Sequence, residues 1–313
     1  MKHATTGAPR ALVFGEALVD VIDGAAFPGG SPLNVAVGLS RLGVATTLAT
    51  RFGDDAHGAQ IADHLRASDV SFAEPVPGAE TSRAEVTLDA TGQAQYRFVL
   101  DSELPTTPLD GIGLVHTGSL GAVLTPGAAT VAAAFDDPGS RLRSYDPNIR
   151  PDLMKDHGAT LDQVEGLAAR SHIVKMSDED AEWLYPGQDL DAVLARMVAL
   201  GASLAVVTRG AAGCIARFAD SRAAAPADRV AVVDTVGAGD SFMAALLAAV
   251  LDGPLAASLL AGDPPAPHDV EHALQFAARA AGITASRAGA NPPWTRELAG
   301  EAHAEPATFP ATS

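Results

Sequence analysis

The chain has 313 residues, more than one ordinary domain needs and fewer than two full ones, so one large domain or a domain with a small appendage is expected. Its 21 Lys+Arg against 38 Asp+Glu leave a formal charge of −17, which disfavours electrostatic binding of nucleic acid or of anionic membranes. The 47% hydrophobic and 19% charged make-up excludes a highly charged disordered chain and a coiled coil, and the single cysteine, Cys214, excludes an intramolecular disulfide framework or a multi-cysteine metal site. Met1 to Arg10 has no apolar signal core and the longest apolar run, Phe242 to Leu251, is too short to span a bilayer, so a cytoplasmic protein with neither membrane nor nucleic acid as partner is expected.

In chain order, Ala11–Gly15 reads as a first strand, Val35–Leu42 as a helix and Leu48–Phe52 as a strand. From Ser82 to Leu100, alternating segments flank Asp89-Ala90-Thr91-Gly92-Gln93, the pattern of a hairpin with one apolar face. An extra edge hairpin is the simpler reading and a lid the sharper one. Strand signals recur at Leu114–Thr117, Arg143–Asp146, Ile173–Met176 and Leu204–Thr208, with helical stretches at Gly127–Phe135, Asp178–Leu184 and Leu190–Leu200 between them. Continuous apolar runs such as Leu204-Ala205-Val206-Val207 suit strands covered on both faces, hence an α/β chain with a mainly parallel sheet. Gly262–Pro267 reads as a loop and residues 299–313 as a flexible tail.

Chemistry concentrates in Val230–Leu251, where an apolar strand Val230–Val233 is expected to lead into Asp234-Thr235-Val236-Gly237-Ala238-Gly239-Asp240 and then a helix. Glycines at 237 and 239 let successive amides turn toward one point, and the positive end of the helix adds to them, making an anion hole. Asp240, in the first helical turn, is then placed to take a proton from a hydroxyl presented to that anion, the arrangement phosphoryl transfer requires. A bare Gly-rich turn with Asp240 complementing the helix dipole fits this segment equally well. None of the three lysines, Lys2, Lys155 and Lys175, follows a glycine, so a Walker A loop is absent, and the 237–242 segment lacks the third glycine of a dinucleotide fingerprint.

A second constellation runs from Gly15-Glu16-Ala17-Leu18-Val19-Asp20 to Phe27-Pro28-Gly29-Gly30-Ser31-Pro32-Leu33-Asn34. With the 234–240 segment about 200 residues later, it makes the chain resemble the ribokinase-like (PfkB) carbohydrate kinases over roughly residues 11 to 298. Asp146-Pro147-Asn148-Ile149-Arg150-Pro151 and Val174-Lys175-Met176-Ser177-Asp178-Glu179-Asp180 are similar to the bacterial fructokinase branch.

The resemblance implies a three-layer α/β/α domain with a small β lid from about residues 16–30 and 80–102, acting on a neutral sugar with ATP and Mg²⁺. By that resemblance Asp20, Gly29, Gly30, Asn34, Phe98 and Arg150 bind the sugar, Asp240 is the base, and Gly237, Ala238 and Gly239 hold the transferred phosphoryl group. Thr208, Gly210, Gly213, Gly239 and Asn291 would meet ATP, Asp180 would reach Mg²⁺ through water, and Asp234 with the Val236 carbonyl would hold a monovalent cation, potassium. A homodimer is expected from the same source.

Leu100 stands where relatives that phosphorylate fructose or 2-keto-3-deoxygluconate commonly carry arginine, which weakens an acid-sugar reading unless Arg97 or Arg150 substitutes. Kinases of ketodeoxygluconate, ribose or nucleosides, and a non-catalytic sugar or nucleotide sensor, are the rival readings. His268 and His272 read as a solvated helix start, Cys214 as a small core residue, and Trp183, Tyr185 and Trp294 as packing residues.

Overall fold

The computed structural model describes residues 10–22, 24–88 and 94–299. Thirteen strands occur among them: β1 (Arg10–Phe14), β2 (Leu18–Ile22), β3 (Ala25–Gly29), β4 (Ala45–Ala49), β5 (Ser71–Phe72), β6 (Arg83–Leu88), β7 (Ala94–Val99), β8 (Ile112–Gly118), β9 (Leu142–Asp146), β10 (Ile173–Ser177), β11 (Leu204–Thr208), β12 (Cys214–Phe218) and β13 (Ser221–Ala225). Nine form one sheet in the order β13-β12-β11-β10-β9-β8-β1-β4-β5. Pairing is parallel from β5 through β11 and antiparallel only where β12 and β13 complete the edge.

Alternation along each central strand divides the core in two, because successive side chains leave a strand on opposite faces. Ala11 and Val13 of β1 join Leu114, Leu142, Ile173, Leu204 and Val206 beneath the helices Ser31–Arg41, Ala238–Asp252 and Pro267–Ala285. Leu12 and Phe14 join Val115, Tyr145, Val174, Met176, Ala205 and Val207 under the helices Gly127–Asp136, His157–Ala168, Asp178–Leu184 and Leu190–Leu200. Helices thus cover both faces, the α/β/α layering that the near-continuous apolar strands require. Each fully buried Leu or Val in these layers contributes about 1.5–3 kcal/mol by leaving water.

A separate four-stranded sheet, in the order β3-β2-β6-β7, is built from the segment just after β1 and from the hairpin. β6 and β7 pair antiparallel from Arg83↔Val99 to Leu88↔Ala94, and β6 lies parallel to β2. The expected turn Asp89-Ala90-Thr91-Gly92-Gln93 and the tail beyond Ala299 lie outside the described residues.

Three sequence expectations need correction. The early helix starts at Ser31 rather than Val35, capped by Gly30 at φ 107° with Pro32 in its first turn, so Asn34 belongs to the helix. The strand expected at Leu48–Phe52 is Ala45–Ala49, where the β-branched Thr46 and Thr47 pair with β1. Val230–Val233 is not a strand: β13 already fills the sheet edge, and Val232 and Val233 are 65% and 64% exposed. Its backbone instead ties to the end of a helix, Val233 N donating to Ala285 O at 2.8 Å. Among the described residues no single helix is long and apolar enough to cross a membrane.

Candidate active site

The parallel strands β1, β8, β9, β10 and β11 end on one side of the sheet, where residues Gly15, Gly118, Asp146, Ser177 and Thr208 lie. The crevice outside the carboxyl ends of such strands is where open α/β sheets gather functional groups. Both constellations singled out in the sequence arrive there, each on the N-terminus of a helix.

Their meeting point is Asp240, 8% exposed in the first turn of Ala238–Asp252. Its Oδ1 accepts a hydrogen bond from Ser31 Oγ at 2.6 Å and its Oδ2 one from Asn34 Nδ2 at 2.8 Å, across more than 200 residues of sequence. The approach is possible because the two helices touch closely one turn further on: a Cβ placed on Gly38 would lie 2.6 Å from the Ala244 Cβ. Residues four apart share a helix face, so a small residue at 38 opposite alanine at 244 brings 34 and 240 within reach.

Gly237 caps the same helix in the left-handed region at φ 73°, and a Cβ there would strike Ala290 at 2.5 Å. The Ala238 amide turns back to the Thr235 carbonyl at 3.2 Å, while helix geometry leaves the Gly239 and Asp240 amides without carbonyl partners from their own helix. The free amide donors at the start of this helix are therefore those of 239 and 240 rather than of 238. Asp234 secures the loop from both sides: Oδ1 accepts from Val236 N at 3.0 Å and Oδ2 from Gly289 N at 2.9 Å. These backbone donors, with a third from Thr235, hold its carboxyl below the usual value against partial burial.

Gly29 and Gly30 are required by contact. A Cβ on Gly29 would come within 2.5 Å of Asp20 Oδ2, and one on Gly30 within 2.7 Å of the Glu16 carbonyl. Asp20, central in β2, is raised by burial with the Arg150 charge opposing; Glu16 is raised by burial while Gly121 N donates to its Oε2 at 2.9 Å. Arg150 Nη1 donates to Asn148 Oδ1 at 2.7 Å, and its charge acts on both carboxylates. Arg97 is 74% exposed and pairs with Glu85 across the hairpin at 3.4 Å, and Leu100 packs against the second core layer. Phe98 faces Ala84 in the β6–β7 register.

Thr208 ends β11 and is followed by a tight turn in which Gly210 and Gly213 have φ 49° and 79°. A Cβ on Gly213 would strike the Ala225 carbonyl at 2.2 Å, and Arg209 N closes the turn on Gly213 O at 2.7 Å. Asn291 turns its side-chain oxygen to Arg41 Nη1 at 2.6 Å. Asp180 closes a capping box with Ser177 and also accepts from Ile149 N at 2.8 Å, so both its oxygens hold backbone donors. Each oxygen keeps a second lone pair, which fits a water of a hydrated magnesium better than the ion itself. Among the described residues no cluster of three His, Cys, Asp or Glu side chains forms a metal cage.

Several expectations away from the crevice follow the structure. Cys214 is buried, with burial pushing its thiol up; Tyr185 donates to Glu165, Trp183 meets the His157 ring, and Trp294 lies against Arg41 and Arg296. His268 sits on the first turn of its helix beside Asp269 with its side chain 81% exposed. A cavity of about 410 Å³ at the opposite ends of β9 and β10 contains Arg141 and Arg170, which pair with Asp137 and Asp136.

Sequence reasoning missed Ser31, Asp146 and Lys175 as members of the site. Lys175 carried a signal: a lysine inside the apolar strand Ile-Val-Lys-Met of a doubly covered sheet needs a buried partner. That partner is Asp146, with Nζ 2.7 Å from Oδ2.

Comparison with known proteins follows the same lines. Residues 8–297 match the model of the pfkB family carbohydrate kinases. A fructokinase of Rhizobium leguminosarum bv. trifolii is 35% identical over 257 residues, 76% of this chain and 79% of that protein. Fructokinase-1 of Oryza sativa subsp. japonica is 30% identical over 314 residues, covering 91% and 94%. The crystal structure of a Xylella fastidiosa fructokinase with bound ATP superposes with a TM-score of 0.81 at 25% identity, covering 93% of this chain and 97% of that one. The Vibrio cholerae O395 fructokinase in its fructose, ADP and calcium ion bound form shares the fold at a TM-score of 0.75 and 24% identity, covering 90% and 94%.

Proposed function

The chain belongs to the pfkB family of carbohydrate kinases, and from that premise we propose that it transfers the γ-phosphoryl group of ATP to a hydroxymethyl group of a neutral hexose, fructose. The observation that carries this reading is the Asp240 carboxylate, held by Ser31 and Asn34 beside the amides of the 237–240 turn. A hydroxyl presented to Asp240 gives up its proton there as its oxygen attacks the γ-phosphorus, while the helix-start amides meet the negative charge of the transferring group. Ser31 and Asn34 fix the orientation of the carboxylate, so the base is set before the sugar arrives.

At the sugar end, Asp20 accepts from hydroxyls, Gly29 and Gly30 admit the ring close to the backbone, and Asn34, Phe98 and Arg150 complete the pocket. Asp20, Glu16 and Asp240 outnumber the single Arg150 there, and Arg97 is 74% exposed with Glu85 at 3.4 Å. This balance supports a neutral sugar over ketodeoxygluconate, whose carboxylate needs a cation to spare. Thr208, Gly210 and Gly213 cradle the remaining phosphates of ATP, and Asn291 belongs to the loop over the base. Asp180 would reach a nucleotide-bound magnesium through water, and the ion would supply further neutralisation of phosphate charge. A monovalent cation such as potassium would be held by Asp234 and the Val236 carbonyl, the two sides of the loop before the 237–240 turn. The open edges of the small sheet, where β3 carries Phe27 at 46% exposure, support a homodimer through that sheet.

Asp240→Asn tests the base. Its kcat with saturating fructose is expected to fall about 10²–10⁴-fold, the usual worth of a positioned base, with ATP affinity by calorimetry unchanged. Turnover within a few-fold of the unmodified protein contradicts the role.

A further inference from the structure

Beneath the 237–240 turn lies a buried ion pair that the proposed chemistry does not yet use. Lys175 and Asp146 are 4% and 1% exposed, near the ends of the adjacent parallel strands β10 and β9. Lys175 Nζ is 2.7 Å from Asp146 Oδ2 and donates to the Gly239 carbonyl at 3.3 Å. A Cβ on Gly239 would stand 3.3 Å from the same nitrogen, so the absence of a side chain at 239 leaves room for the ammonium. Glycine within a helix costs about 1 kcal/mol relative to alanine, and 239 lies outside the positive φ region, so backbone conformation does not call for it.

We infer that Lys175 is a positioning residue for phosphoryl transfer: its ammonium, anchored by Asp146, pins the carbonyl side of the turn whose amide side receives the γ-phosphoryl group. The inference rests on the kinase reading above. The Gly239 carbonyl points down the helix while the Gly239 and Asp240 amides point out of its start, so holding the one aims the others. Burial disfavours the Lys175 charge, but the carboxylates of Asp146, Asp240 and Asp180 outweigh it, and the group titrates above the ordinary lysine value. The ammonium therefore keeps its charge beneath the turn, balanced by Asp146, and acts on the Gly239 carbonyl through the hydrogen bond.

A purely structural ion pair and a positioning one respond differently to neutral replacement. Removing one partner of a buried pair strands the other, whereas replacing both by apolar residues of similar volume is often neutral or stabilising. Lys175→Met and the double variant Lys175→Met with Asp146→Leu are compared with the unmodified protein by thermal unfolding, by calorimetric titration with MgATP and MgADP, and by fructose-dependent turnover. Positioning predicts that the double variant regains the melting temperature lost in the single one. Its kcat nevertheless stays down by about 10²-fold, the cost of a small misplacement at the reacting group, with KM for fructose within twofold. ATP affinity falls in both variants while ADP affinity holds, because only ATP brings a γ-phosphoryl group to the turn. Recovery of kcat together with stability, or equal losses for ATP and ADP, overturns the inference. An unmodified protein that binds ATP but phosphorylates no sugar contradicts the kinase reading alone, since the ATP-against-ADP comparison still decides the place of Lys175.

Discussion

His116 lies under the crevice as a buried, neutral imidazole. It is fully buried in β8, Nδ1 lies 2.9 Å from Ser144 Oγ, and burial with the nearby Lys175 charge holds it down at about 3. The unfolded chain protonates this ring below about 6.5, while the fold refuses the proton until about 3, so its contribution to stability is full above 6.5 and is lost as pH falls. At pH 5 the loss from this one residue is about 2 kcal/mol. His116→Asn keeps a polar group near Ser144 without the titration, so its urea midpoint is expected to fall less between pH 7 and 5 than that of the unmodified protein. Parallel profiles contradict the assignment. The comparison is needed because Asp146, raised by burial to about 6, together with raised Glu16 and Asp20, pulls total stability the other way over part of this range.

At the scale of elements, the small sheet joins Asp20 and Gly29, proposed to meet the sugar, to the hairpin. Asp20 lies in β2 with Phe27 and Ala84 as its cross-strand neighbours, and β3 runs directly into Gly29-Gly30 and the helix that bears Asn34. A sugar held by Asp20 and Asn34 therefore ties this sheet to the main one, as a lid does. Arg51, paired with Asp101 at 2.9 Å and with Glu103, fixes the foot of the hairpin. Saturating fructose is expected to slow amide exchange in β2, β6 and β7, and unchanged protection counts against closure. The hairpin was legible from its alternation and the first signature helix from its small residues. The contact that makes them one site was not, because it depends on Gly38 meeting Ala244, a matter of side-chain volume on two helices that local periodicity does not encode.

Across the whole molecule, the doubly covered sheet was legible because its strands are continuous apolar runs, and Leu204–Thr208 keeps its expected bounds. Val230–Val233 misled for the same reason: an apolar run carries the strand signal whether or not an edge remains to pair with. Asp240 and Gly237 were legible because a helix start that turns through the left-handed region needs glycine and leaves a local trace. Asp146 and Lys175 are joined only by the pairing of β9 with β10, which no local pattern states. Phosphorylation of a neutral hexose is tested by ADP formation with MgATP and K⁺ over fructose, tagatose, ribose, 2-keto-3-deoxygluconate and adenosine. The highest kcat/KM is expected with fructose. A preference for ketodeoxygluconate, or ADP formation that no sugar stimulates, contradicts it.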